Sequence, residues 1–197
     1  MPRDRHVLVV RADPPSASVI VYLPGKCGDL RAFEPWAATA ARHGTLIAFT
    51  GDVRCDNGRY RWSHDLGLIQ RRIDAALAAV AAEDGAPLDT QSLTAIGYSE
   101  GATRAEELAR RAPDRYPRLV LIAGPTAPTD AGVGRARAAV IMAGGRDKRS
   151  HLAVAAASLA SAGRPVTFML LPGAGHGEYG PEGPRVMDEA LTWAQSR

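Results

Sequence analysis

The sequence predicts an α/β fold, a mostly parallel β-sheet flanked by helices on both faces. Three observations carry that reading. Short apolar runs recur along the whole chain and alternate with stretches rich in helix formers. The runs are continuous rather than alternately apolar and polar, as expected of strands covered on both sides. The longest intervening stretch spaces its apolar residues by three or four, the period of a helix that buries one side.

The elements follow in order. Residues 6–11 read as a first strand, closed by the turn residues Asp13-Pro14-Pro15-Ser16. Residues 18–23 form a second strand, ended by Pro24-Gly25. A helix is expected over 34–42 and a strand over 45–50. Residues 63–83 fit a long helix, because Leu66, Ile69, Ile73, Leu77 and Val80 fall on one face. Ser92-Leu93-Thr94-Ala95-Ile96 is a short apolar strand, and 102–111, free of Gly and Pro, is the helix after it. Strands are expected over 119–123 and 138–143, a helix over 152–162 ended by Gly163, a strand over 166–171 and a closing helix over 185–194. No repeat, low-complexity tract or long linker breaks this order, so residues 1–197 are expected to form a single domain.

Composition narrows the function classes. Apolar content of 46% and charged content of 23% are those of an ordinary globular protein. No stretch approaches the ~18 uninterrupted apolar residues of a membrane span. The N-terminal Met1-Pro2-Arg3-Asp4-Arg5-His6 is charged, but only four apolar residues follow, too few for a signal-peptide core. The chain as numbered therefore reads as cytoplasmic, or as an exported form from which a leader was removed. The net charge of +3 comes from dispersed arginines without interleaved aromatics, which argues against a nucleic-acid partner. Cys27 and Cys55 form no C-x-x-C, so a zinc or thioredoxin-like site is not expected. Two free thiols are the expectation for a chain without a leader, and a Cys27–Cys55 disulfide for an exported one.

The segment Gly97-Tyr98-Ser99-Glu100-Gly101 lies between a strand and a helix. A G-x-S-x-G in that setting is a nucleophile elbow, a sharp turn that lifts a serine hydroxyl above the sheet. Its glycines let strand and helix approach closely, and the helix N-terminus favours negative charge nearby. A serine hydroxyl needs a base to take its proton and an acid to orient the base. In a parallel sheet these belong on loops at the strand C-termini. Asp147, in Gly144-Gly145-Arg146-Asp147, and His176, in Gly173-Ala174-Gly175-His176, each follow a strand, in the order Ser, acid, His. Asp130 and Asp52 also follow strands and stand as reserve acids.

On these three elements the chain resembles the α/β-hydrolase superfamily over nearly its whole length. Within it, the chain looks like the compact, capless branch of small carboxylesterases, dienelactone-hydrolase-like proteins and polyester-depolymerase-like esterases. Only about 14 residues, Gly124 to Arg137, separate the two strands where many relatives insert a lid. The resemblance implies a serine hydrolase that cleaves small or accessible carboxylic esters through a Ser99–His176–Asp147 triad and an acyl-enzyme. It also implies an oxyanion hole made of the backbone N–H groups of Glu100 and a residue after Gly25. Lys26 is the expected donor there, with Cys27 in reserve, because Pro24 stands where many relatives have His and carries no N–H. Tyr98, Trp62 and Tyr179 are candidate substrate contacts. Glu100 either adds a charged wall to the site or faces solvent.

No metal or organic cofactor is required by this chemistry. Gly25-Lys26 lacks the first glycine and the Ser/Thr of a phosphate-binding loop, and Gly175, Gly177 and Gly180 run into Pro181 rather than a βα unit. The expected partner is a small-molecule ester. The same groups would serve a peptidase or a thioesterase, and a non-catalytic binding protein on the same scaffold is the remaining alternative. Oligomeric state is not readable from these residues.

Overall fold

The computed structural model describes residues 6–85 and 87–197; the charged Met1–Arg5 segment read above lies outside them. Seven strands form one sheet in the order β1-β3-β2-β6-β7-β8-β9. They are β1 (Leu8–Val10), β2 (Val19–Leu23), β3 (Thr45–Ala48), β6 (Thr94–Tyr98), β7 (Arg118–Ile122), β8 (Ala138–Gly144) and β9 (Val166–Leu171). All neighbours pair in parallel except β1, which runs antiparallel against β3 at one edge. A two-stranded hairpin, β4 (Val53–Arg54) and β5 (Tyr60–Arg61), stands apart from the sheet.

Alternation along the strands feeds two cores. On β2, Val19, Val21 and Leu23 point to one side, where Ile69, Ile73 and Leu77 of α2 (Leu66–Asp84) meet Ala105 and Leu108 of α3 (Glu100–Arg111). Leu152 and Leu159 of α5 (Ser150–Ser161) complete that side. Ile20 and Tyr22 point to the other side, against Trp36, Ala40 of α1 (Ala37–His43), and Val186, Met187, Ala190 and Leu191 of α6 (Gly183–Gln195). The sheet is thus a layer between helices, because its strands carry apolar side chains on both faces.

The expected elements appear with end shifts of a few residues, and two departures have physical causes. The segment expected as one helix over 34–42 is a 3-10 helix, Leu30–Trp36, followed by α1. Pro35, which has no N–H to donate back along a helix, lies inside the 3-10 turn near its end, and α1 starts only after it. As expected, only the short α4 (Asp130–Val133) lies between β7 and β8, and no cap is inserted there among the described residues. Second, of the two states considered for the cysteines the bonded one is found rather than the free thiols: Cys27 and Cys55 form a disulfide, with Cα atoms 6.0 Å apart. The β4–β5 hairpin folds back on the loop after β2: the Cys27 amide donates to the Tyr60 carbonyl, which brings the cysteines together. No helix among the described residues is long and apolar enough to cross a membrane.

Candidate active site

Ser99 follows β6 at the sheet's centre, with φ 51° and ψ −118°. A non-glycine residue rarely adopts such a positive φ, which costs about 1–2 kcal/mol. Close packing holds it there. A Cβ on Gly97 would lie 2.3 Å from the Gly101 carbonyl oxygen, and one on Gly101 would lie 2.0 Å from that of Leu23. Only glycine fits either side of the turn. The Ser99 amide donates to the Ile122 carbonyl on the neighbouring strand at 2.7 Å, which pins the turn to β7.

The loops after β8 and β9 bring two further groups to this hydroxyl. The His176 ring places Nε2 3.2 Å from Ser99 Oγ and Nδ1 2.8 Å from Asp147 Oδ2. The three side chains therefore form one hydrogen-bonded chain. His176 is 43% exposed and Asp147 only 10%, so the acid is shielded while the base opens to the cleft. The two loops are laced together: the amides of Gly145 and Arg146 donate to the carbonyls of Leu171 and Ala174. The Glu178 carboxylate accepts from the Gly175 amide and from Arg146, both at 2.7 Å. These two donors hold its pKa below the ordinary value. The Gly177 amide donates to the Tyr98 hydroxyl at 2.6 Å, tying the histidine loop to the residue before the serine.

Arg149 is a contributor that carries no motif. Its Nε donates to Asp147 Oδ2 at 3.0 Å, the same oxygen that faces His176, and its Nη1 donates to the Gly124 carbonyl at 2.9 Å. Asp130 and Asp52 are engaged elsewhere. Asp130 pairs with Arg164, and Asp52 accepts from the Ser63 amide at 2.8 Å. Burial alone would raise the Asp52 pKa, but the hydrogen bonds from Ser63 outweigh it and hold the group ionised.

Gly25 sits against the serine, where an added Cβ would be 3.2 Å from Ser99 Cβ. Among the described residues the Lys26 amide has no hydrogen-bond acceptor, whereas that of Cys27 is committed to Tyr60. The Glu100 amide opens α3 and has no acceptor within the helix. The backbone N–H groups of Lys26 and Glu100, on segments adjoining Ser99, thus carry no acceptor among the described residues.

Of the expected aromatic contacts, Tyr98 and Tyr179 line a pocket of about 230 Å³ that also reaches Ser99 and His176. Trp62 does not. It is buried in the opposite core, its indole N–H donating to the Pro24 carbonyl at 2.8 Å and its amide accepted by Glu100 Oε2 at 2.9 Å. Glu100 is turned toward Trp62 rather than lining the pocket; its carboxylate braces the Trp62 backbone, whose indole in turn holds the Pro24 carbonyl. Tyr22, Asp29 and Arg59 line the pocket without having been singled out in the sequence.

No family model matches the sequence, and no curated protein matches it. Solved structures do resemble it in fold. Esterase PE8 superposes with TM-score 0.68 at 17% identity, over 95% of this chain and 97% of its own. A Bacillus cereus carboxylesterase gives 0.65 at 21% identity, over 95% and 93%. The Staphylococcus aureus fluorophosphonate-binding serine hydrolase FphF gives 0.64 at 13% identity, over 95% and 91%. The chain has the α/β-hydrolase fold, without a cap.

Proposed function

We propose that the protein is a serine hydrolase that cleaves carboxylic esters of small or accessible substrates. The observation that carries this reading is the unbroken chain Ser99 Oγ–His176 Nε2 and His176 Nδ1–Asp147 Oδ2, set on a positive-φ serine. The fold of PE8 and of the carboxylesterase supports it further.

In the proposed reaction His176 takes the Ser99 proton as Oγ attacks the ester carbonyl carbon. Asp147 holds the imidazole with Nδ1–H toward the carboxylate and stabilises the imidazolium. The amides of Glu100 and Lys26 receive the negative charge on the carbonyl oxygen, where each such donor contributes about 3–4 kcal/mol at the transition state. As the intermediate collapses, His176 gives its proton to the departing alcohol and the acyl group stays on Ser99. Water then loses a proton to His176, attacks the acyl carbon, and frees the acid as Oγ recovers its proton. Every group required belongs to the chain, so the step needs no cofactor.

The test compares short p-nitrophenyl esters, acyl-CoA thioesters and aminoacyl amides as substrates of wild type and Ser99→Ala. The expected result is preferred turnover of the esters and its loss in the variant, with an unchanged melting curve. Ester turnover that survives the substitution would overturn the assignment.

A further inference from the structure

The turn that carries the Lys26 amide is built on an unfavourable residue. The Gly28 amide donates to the Gly25 carbonyl at 3.0 Å, closing a turn with Lys26 and Cys27 at its centre. Cys27, unlike Lys26, has a positive φ, 52°. A positive φ at the third position alone is the pattern of a type II turn, where glycine or asparagine ordinarily stands. Cysteine carries a Cβ and disfavours that conformation, so a contact outside the turn must hold it.

The β4–β5 hairpin supplies it. The Cys27 amide donates to the Tyr60 carbonyl at 2.8 Å, and the Cys27 side chain is bonded to Cys55. Cys55 is a firm anchor: its amide donates to the Arg59 carbonyl at 2.8 Å, and its carbonyl accepts from the Gly58 amide at 3.0 Å. The bridge therefore joins two tight turns. A further tie, the Arg59–Asp29 ion pair, is half-exposed at both ends and so holds weakly. The Trp62 indole fixes the Pro24 carbonyl ahead of the turn and does not restrain Cys27. Gly25 lies against Ser99, so a change in this turn is felt beside the nucleophile.

We propose that the Cys27–Cys55 bridge positions the Lys26 amide for the oxyanion, so that a dithiol reductant lowers ester turnover and reoxidation restores it. The inference rests on the proposed esterase reading and adds a control on that same site. Both cysteines are partly exposed, which admits the reagent. A thiolate of the dithiol attacks one sulfur of the bridge, and the second thiol of the reagent then displaces the protein sulfur. The protein S–S bond breaks and the reagent's own S–S bond forms. Two electrons and two protons pass from the dithiol to the protein, leaving Cys27 and Cys55 as thiols. Cys27 is then free to leave the positive-φ region. The central peptide of the turn rolls over and draws the Lys26 amide off the oxyanion position, while the Ser99–His176–Asp147 chain stays in place.

The experiment measures kcat and KM on p-nitrophenyl acetate before and after dithiothreitol, with near-UV circular dichroism showing that the reduced protein is still folded. The expected result is a kcat about tenfold lower with KM little changed, because the donor acts in the transition state. Complete loss of a donor costs about 10²–10³, but the opened turn still visits the productive form. Reoxidation should restore the rate. Cys27→Ser/Cys55→Ser should show the same loss without reductant. Cys27→Gly/Cys55→Ser should recover most of it, because glycine adopts the positive φ freely. A bridge that served stability alone would leave kcat untouched in the reduced, folded protein, or would give two double variants equally slow; either result overturns the proposal. If no ester is turned over, amide hydrogen exchange decides separately. Exchange at Cys27 and Gly28 at least about tenfold faster after reduction, with α3 unchanged, would uphold the bridge's hold on the turn while the esterase reading falls. Unchanged exchange would remove this proposal too.

Discussion

Replacing Asp147 by Asn should cost far less here than the same change costs in serine proteases, and Arg149 is the reason. In serine proteases the Asp-to-Asn change lowers kcat by ~10⁴, because the amide turns its NH2 to the imidazole and selects the wrong tautomer. In this site Asp147 Oδ2 accepts from both His176 Nδ1 and Arg149 Nε, at 2.8 and 3.0 Å. Arginine can only donate, and its other arm is anchored on the Gly124 carbonyl. An asparagine must therefore set its oxygen where Oδ2 now stands, and that oxygen still accepts from Nδ1–H. The tautomer survives and only the charge is lost. A hydrogen bond to a charged partner exceeds a neutral one by roughly 1–2 kcal/mol, which is about a 5–30-fold loss of rate. Asp147→Asn/Arg149→Met removes the constraint on the amide and should fall by ~10⁴. Steady-state kcat on a p-nitrophenyl ester measures all three proteins. A single variant already down ~10⁴, or a double variant no slower than the single, would refute the reasoning.

Three further outcomes follow from the packing. Gly101→Ala places a Cβ 2.0 Å from the Leu23 carbonyl oxygen, against 3.4 Å for ordinary contact. The carboxyl end of β2 must retreat with the Lys26 loop, so activity per folded molecule should drop ~10²-fold and thermal stability by at least 1–3 kcal/mol. Cys27→Ser/Cys55→Ser opens a bridge across a separation of 28 residues, for which chain entropy predicts a loss of about 3–4 kcal/mol in chemical denaturation. The Asp188 carboxyl on α6 is held below its ordinary pKa, chiefly by the hydrogen bond from His43 on α1 and further by Arg42. A depressed carboxyl stabilises the fold above its unfolded pKa and ceases to as pH falls through the folded one. Urea melts from pH 5 down to 2 should therefore show a steeper loss in wild type than in Asp188→Asn.

The site was legible in sequence wherever a residue's role depends on its position in a strand–loop–helix order. Ser99, Asp147 and His176 each follow a strand whose apolar run is plain, so the topology that unites them could be read without coordinates. Contacts between side chains distant in sequence left no such trace. Arg149 sits just before α5 and reads as a solvated helix-start residue, although Asp147-Lys148-Arg149 spacing is the one local signal that it could return to Asp147. Tyr22 reads as one more core residue of β2, and nothing local reveals that it underlies the pocket beside Ser99, with its hydroxyl bonded to that of Tyr179. Trp62 was drawn toward the cleft by its place in a loop, but its buried indole serves the Pro24 carbonyl instead. The β4–β5 hairpin escaped detection because two-residue strands have no measurable period, and the Cys27–Cys55 bond depends on it. The antiparallel edge position of β1 is likewise a matter of sheet order, on which periodicity is silent.

The central claim is that Ser99 is an activated nucleophile, and a fluorophosphonate probe followed by peptide mass spectrometry tests it most directly. One adduct per chain on Ser99, much slower to form in His176→Ala, is the predicted result. A folded wild-type protein that takes up no probe, or takes it up at another residue, would contradict the account.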